Sequence, residues 1–148
     1  MEFFYKKDRN IKLPEKSTKF SAGWDLFCPY DINIDAGERI KIKSGVFLTK
    51  EMEKQNLFCE VRDRSSMYMK GFKVFQGVID ADYEGEIIIV LTNTTDERLN
   101  IGCGHKFAQL TLYPLVGGES EMAKSRFCLL YTSPSPRDGA TSRMPSSA

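Results

Sequence analysis

Asp35-Ala36-Gly37-Glu38-Arg39-Ile40-Lys41-Ile42-Lys43 is the stretch that settles the fold class. Its first four residues are turn formers. After them, apolar and basic residues alternate with period two, the pattern of a strand with one wet face. Outward from there the same signature recurs in short pieces. Gly45-Val46-Phe47-Leu48 continues the sheet, Leu57 to Arg62 is a further strand, and Glu2 to Lys6 is an aromatic-rich first strand. Lys73-Val74-Phe75 and Gly77-Val78-Ile79 are extended pieces flanking Gln76, and Glu86 to Leu91 is a long apolar strand. Thr92 to Glu97 reads as a polar turn, Arg98 to Ile101 as extended, and Lys106 to Tyr113 as a strand ended by Pro114. Lys50 to Gln55 could form one helical turn, too short to support a helical layer. Short strands with turn signals between them and almost no helix predict an all-β sandwich, barrel or jelly roll.

The chain has 148 residues and a net charge of +1, a balance that carries no nucleic-acid or membrane footprint. No apolar run reaches spanning length and no secretory leader stands at the start, so a soluble cytoplasmic protein is expected. The four cysteines, at 28, 59, 103 and 128, form no Cys-x-x-Cys pair, and His105 is the only histidine. Reduced thiols are expected rather than zinc ligands or a disulfide framework.

Three stretches carry chemistry. In Gly77-Val78-Ile79-Asp80-Ala81-Asp82-Tyr83-Glu84-Gly85, two carboxylates at i, i+2 and an aromatic sit between apolar runs, with glycines closing both ends. It reads either as a site or as a β-hairpin tip with its charges in water. In Arg62-Asp63-Arg64-Ser65-Ser66-Met67-Tyr68-Met69-Lys70-Gly71, serines precede good helix formers, which predicts a serine-capped short helix beginning near Ser66 and stopped by Gly71. Hydroxyls, backbone N–H groups and a guanidinium in one place suit a phosphate oxygen. The same residues also suit a capped surface helix with a solvated arginine. Gln109, a polar amide among apolar neighbours, must point outward or satisfy a specific partner. In Ser21-Ala22-Gly23-Trp24-Asp25-Leu26, small residues let the chain turn beside Trp24, read as a core anchor.

Together, Ala22-Gly23-Trp24-Asp25-Leu26, Arg64-Ser65-Ser66 with Lys70-Gly71, the Gly77–Gly85 stretch, and Gly104-His105-Lys106-Phe107-Ala108-Gln109-Leu110 resemble the trimeric deoxyuridine triphosphatase (dUTPase) family, in the family's order. The resemblance reaches to about Pro114. It implies a distorted jelly-roll or β-clip barrel in a homotrimer, with active sites between subunits, hydrolysing dUTP to dUMP and pyrophosphate with Mg2+. By that resemblance Asp80 activates the attacking water and Tyr83 lies against the deoxyribose. Arg64, Ser65, Ser66 and Gln109 hold phosphate oxygens. Gly77, Val78 and Ile79 belong to a hairpin, spanning roughly Val74 to Ile79, whose backbone reads uracil. The ion sits on triphosphate oxygens and water, and Asp25 either touches it through water or is structural.

The chain departs from the family in places. His105 stands where an acidic residue is usual, and Val74 where some members have asparagine. The family's glycine-rich C-terminal arm is not found. From Phe127 the composition turns to Ser, Pro, Thr, Arg and Gly, and Cys128 to Asp138 resembles translated vector or adaptor sequence. The expected division is therefore a β domain, 1–126, and a disordered, non-native tail, 127–148. A missing lid lowers turnover more than stability, so a catalytically weak dUTP-binding or regulatory protein is the alternative. The related dCTP deaminases need a glutamate where this chain has Val90, which ranks deamination lower.

Overall fold

Residues 2–117 are described in the computed structural model, and a compact unit ends at Pro114. The 126/127 boundary and the tail 127–148 lie outside the described residues. Among those residues eleven strands and two short helices follow in order: β1 (Phe4–Lys6), β2 (Gly23–Phe27), β3 (Ile32–Ile34), β4 (Arg39–Lys43), β5 (Val46–Leu48), α1 (Glu51–Lys54), β6 (Leu57–Arg62), α2 (Ser65–Met69), β7 (Phe72–Val74), β8 (Val78–Ile79), β9 (Ile88–Asn93), β10 (Leu99–Ile101) and β11 (Lys106–Pro114). The all-β expectation holds.

Every pairing between strands is antiparallel. One sheet has the order β2-β11-β6-β8 and another β4-β9-β7, with the pairs β1-β5 and β3-β10 beside them. In β4 the alternation sends Ile42 inward, in register with Ile89 of β9. Along β9, Ile89, Leu91 and Asn93 face in while Ile88 faces out. The interior is filled by Leu26, Ile34, Ile42, Met52, Ile89 and Leu110 together with Phe72 and Phe107. Trp24 is only half-buried, and packs edge-on against Phe3 and Phe4 with ring centroids at 5.9 and 5.4 Å.

Two elements differ from expectation. The segment Thr92 to Glu97 is not wholly a turn, because β9 runs on to Asn93, whose side chain is fully buried at 0% exposure. Its amide donates to the carbonyls of Ile34, Asp35 and Glu97 at 3.0, 3.2 and 2.7 Å, and its Oδ1 accepts from Thr95 N–H and Oγ1. A polar residue can stand in the core only when its donors and acceptors are met in this way. The second difference concerns β8. It does not form a hairpin with β9: β8 pairs with β6, setting Ile79 opposite Cys59, whereas β9 pairs with β4 and β7. The connection from Asp80 to Ile87 therefore crosses from one sheet to the other.

Candidate active site

β6 and β11 run side by side and place one group of polar residues. Gln109 of β11 lies opposite Asp25 of β2 on one side and Arg62 of β6 on the other. Asp25 is 5% exposed and its carboxylate is fully engaged. Oδ1 accepts from Arg64 Nε at 3.1 Å, and Oδ2 accepts from Ser17 Oγ at 2.7 Å and faces Lys106 Nζ at 3.4 Å. A buried carboxylate needs such partners. Its effect here is to aim the Arg64 guanidinium, whose Nη1 reaches Ser66 Oγ at 3.1 Å and the Lys106 carbonyl at 3.4 Å.

Gln109 finds the specific partner its setting required, donating through Nε2 to the Asp63 carbonyl at 2.7 Å. Gly23 makes room for it, since a Cβ at position 23 would run into the Gln109 amide. Ser17, Gly23, Asp25, Arg64, Ser65 and Gln109 line a cleft of about 320 Å³. On its far side, Arg64 borders a second hollow with Ser66, Lys70, His105 and Lys106. The serines do not cap α2. Arg64 is the N-cap residue, with extended backbone and no side-chain cap, and Ser65 and Ser66 stand in the first turn with both side chains exposed. The hydroxyls, unspent on capping, are left facing solvent beside the guanidinium. Gly71, at φ +106°, ends the segment in a conformation that side chains resist.

Asp80 and Tyr83 line a different cleft, about 250 Å³, where β8 and β9 part company. Phe75, Gly77, Val78 and Ile87 are among its other walls. Asp80 is exposed to solvent and not sealed in the core. The loop that carries it is held at both ends. Upstream, Val61 N–H bonds the Gly77 carbonyl at 2.9 Å as β8 joins β6. Downstream, Glu86 Oε2 accepts from Gly45 N–H at 2.7 Å, Ser44 N–H bonds the Ile87 carbonyl at 3.1 Å, and Ile87 N–H bonds that of Val46 at 2.9 Å. Within the loop, Tyr83 N–H donates to the Asp80 carbonyl at 3.1 Å and its hydroxyl to the Glu86 carbonyl at 2.7 Å. That folds the phenol ring back over Gly85, where a Cβ would stand 2.6 Å from Tyr83 Oη.

Sequence reading did not single out Asp63 or Lys106. The Asp63 carboxylate takes Val74 N–H on Oδ1 at 2.7 Å and faces Gln76 Nε2 at 3.4 Å, while its carbonyl holds Gln109. One residue thus braces the arginine loop against the wall of the other cleft. Its place between Arg62 and Arg64 carries no local signal of these contacts. Among the described residues no cysteine lines either cleft, and burial pushes the Cys59 thiol up to about 12 and that of Cys28 up to about 11.

Among the described residues no group of three or more His, Cys, Asp or Glu side chains converges on a point, and the Asp25 oxygens already face a hydroxyl and two cations.

The dUTPase family model matches residues 9–127. The chain belongs to the dUTPase family. Among relatives, the deoxyuridine 5'-triphosphate nucleotidohydrolase of Variola virus is 36% identical over 109 residues, covering 72% of this chain and 71% of the relative. That of Rabbitpox virus (strain Utrecht) is 34% identical over 124 residues, covering 82% and 81%. The dUTPase of phage phi11 of S. aureus shares the jelly-roll fold, with a TM-score of 0.67 at 23% identity over 76% of this chain and 88% of that one. The Staphylococcus bacteriophage 80alpha dUTPase with dUPNHPP superposes with a TM-score of 0.68 at 21% identity, over 76% and 81%. A mutant of the phi11 enzyme coordinates a structural Mg(II) ion.

Proposed function

We propose that this dUTPase-family chain hydrolyses dUTP to dUMP and pyrophosphate, with Asp80 as the base that activates water. The observation that carries the reading is the clamped loop: an exposed carboxylate and an aromatic ring are fixed at the mouth of an apolar-walled cleft. A carboxylate so held can accept a proton as a water oxygen bonds the α-phosphorus, while the bond from that phosphorus to the bridging oxygen breaks and pyrophosphate leaves. Tyr83, restrained over Gly85, is placed to occupy the space a ribose 2′-hydroxyl needs. β8 is the last strand of its sheet, so its outer edge at Val78, between Gly77 and Ile79, is left for the rim of uracil.

Arg64, Ser65, Ser66 and Gln109 are the phosphate-binding set, with Asp25 aiming the guanidinium. Since Arg64, Ser65 and Gln109 line one cleft, with Ser66 in the hollow that shares Arg64, and Asp80 with Tyr83 line another, the reading includes a homotrimer in which one subunit's cationic cleft meets its neighbour's Asp80 loop. Mg2+ arrives with the substrate, on the triphosphate oxygens, as a hard ion that keeps much of its water. Deamination lacks its acid, because Val90 occupies β9 opposite Lys41 with no carboxylate at that position.

The test is hydrolysis of dUTP in ¹⁸O-water, following pyrophosphate release. The label is expected in dUMP, as attack at the α-phosphorus requires. Asp80→Asn is expected to abolish release while a non-hydrolysable dUTP analogue still binds within a few-fold. Label in pyrophosphate, or binding lost by orders of magnitude, would overturn the assignment.

A further inference from the structure

Large apolar side chains gather in the open around the Asp80 cleft: Phe75 is 68% exposed, Val78 63%, Tyr83 41% and Ile88 38%. Phe75 is the largest apolar surface of the four left to water, and nothing in the reading above employs it. It is also held firmly. Its N–H donates to the Val90 carbonyl at 2.9 Å, and its carbonyl accepts Gly77 N–H at 3.1 Å, closing a three-residue turn around Gln76. Asp63 pins the approach to that turn through Val74 N–H and Gln76. The ring passes over the bare backbone of Gly77, where a Cβ would meet Phe75 Cε2 at 3.1 Å. A tight turn locked by main-chain bonds, with a glycine beneath the ring, presents an aromatic face at the cleft mouth with little left to order on binding.

We propose that Phe75 is a substrate-contacting residue: its ring covers the face of the pyrimidine whose edge is read by the β8 backbone. The inference rests on the dUTP reading and deepens it. Tyr83 does not serve this purpose, because its hydroxyl is tied to the Glu86 carbonyl and its ring lies over Gly85 at the opposite end of the loop. Stacking is blind to the pattern of donors and acceptors on a base, since every base has a π-face. Phe75 therefore supplies affinity and leaves the choice among pyrimidines to the backbone.

The experiment compares the full chain with Phe75→Ala and Phe75→Trp. It measures kcat and KM for dUTP and dCTP, the Kd of an α,β-imido dUTP, the thermal midpoint and the oligomeric state. In Phe75→Ala, KM and Kd are expected to rise about tenfold, within the range for loss of one base-aromatic stack. Expected alongside are kcat within about twofold, an unchanged preference for dUTP over dCTP and an unchanged midpoint, because uniform binding is what has been removed. Phe75→Trp is expected to restore affinity. An unchanged Kd in Phe75→Ala overturns the proposal, as does a change of oligomeric state, which would assign the ring to a subunit contact. Absence of dUTP hydrolysis by the unsubstituted chain strikes the proposed function instead, and the Kd comparison still decides the role of Phe75.

Discussion

Gly85→Ala separates what the Asp80 loop does for the fold from what it does for the substrate. An alanine Cβ would lie 2.6 Å from Tyr83 Oη and 2.8 Å from Cζ, so the ring must retreat by about 0.8 Å to reach ordinary contact at 3.4 Å. Retreat breaks the hydroxyl's 2.7 Å bond to the Glu86 carbonyl. That loss costs about 1 kcal/mol, and the exposed groups regain water. Against it, alanine narrows the unfolded ensemble and stabilises by about 0.4–1 kcal/mol, since Gly85 is not among the glycines with positive φ. The two effects nearly cancel, and stability is expected to stay within about 1 kcal/mol, a shift of a few degrees in Tm. Selectivity is expected to suffer far more. A pocket without a steric barrier rejects an added hydroxyl by only about a hundredfold. The preference for dUTP over UTP, as a ratio of kcat/KM in a pyrophosphate-release assay, is therefore expected to fall by at least about tenfold. An unchanged ratio at unchanged stability would mean that Tyr83 does not face the sugar. A stability loss beyond about 3 kcal/mol would mean that Gly85 serves the fold and not the ring.

Two further outcomes follow from groups described above. Asp25→Asn leaves Arg64 and Lys106 without their counter-charge. A fully buried broken pair costs about 3–5 kcal/mol, and partial exposure of both cations lowers the expectation to about 1–3 kcal/mol in a urea midpoint, with weakened pyrophosphate binding; unchanged values for both would refute the aiming role. For the cysteines, the Cys59 thiol is raised by burial from 9.0 to about 12, so folded and unfolded chains are equally protonated below pH 9. Between pH 9 and about 12 the unfolded chain ionises it first, and its contribution to stability is lost as pH rises through that window. The stability difference between the unsubstituted chain and Cys59→Ala is expected to shrink from pH 8 to pH 10.5, and iodoacetamide at pH 8 to modify Cys103 but neither Cys28 nor Cys59. Rapid alkylation of Cys59 in the folded protein would refute its burial.

Local patterns were legible where side chains alone decide the outcome. Alternation marked β4 at Arg39–Lys43 and the apolar run marked β6 at Leu57–Arg62, both with the bounds read from the sequence. The lone amide in an apolar strand marked Gln109 as needing a partner, and Asp63 supplies it. Pairing between distant segments left no such mark. Val78-Ile79 and the Ile87–Leu91 run look like two arms of one hairpin, but β8 finds better company on β6, nearly twenty residues upstream. Ser65 and Ser66 have the composition of caps, but Arg64 occupies the cap position with extended backbone and both serines fall in the first turn, so their hydroxyls are not spent on capping. Asp63 and Asn93 escaped notice because their work is done on backbone groups far along the chain, and an isolated polar residue carries no signal of that.

The clamps around the Asp80 loop are made largely of main chain: Val61 to Gly77, Ser44 to Ile87 and Ile87 to Val46. Peptide groups are the same whatever side chains they carry, so neighbouring positions can drift through successive substitutions without displacing the carboxylate. Such latitude suits a chain that is 34–36% identical to poxviral relatives over the whole matched stretch. The carboxylate's place is set chiefly by the path of the backbone and not by the side chains beside it.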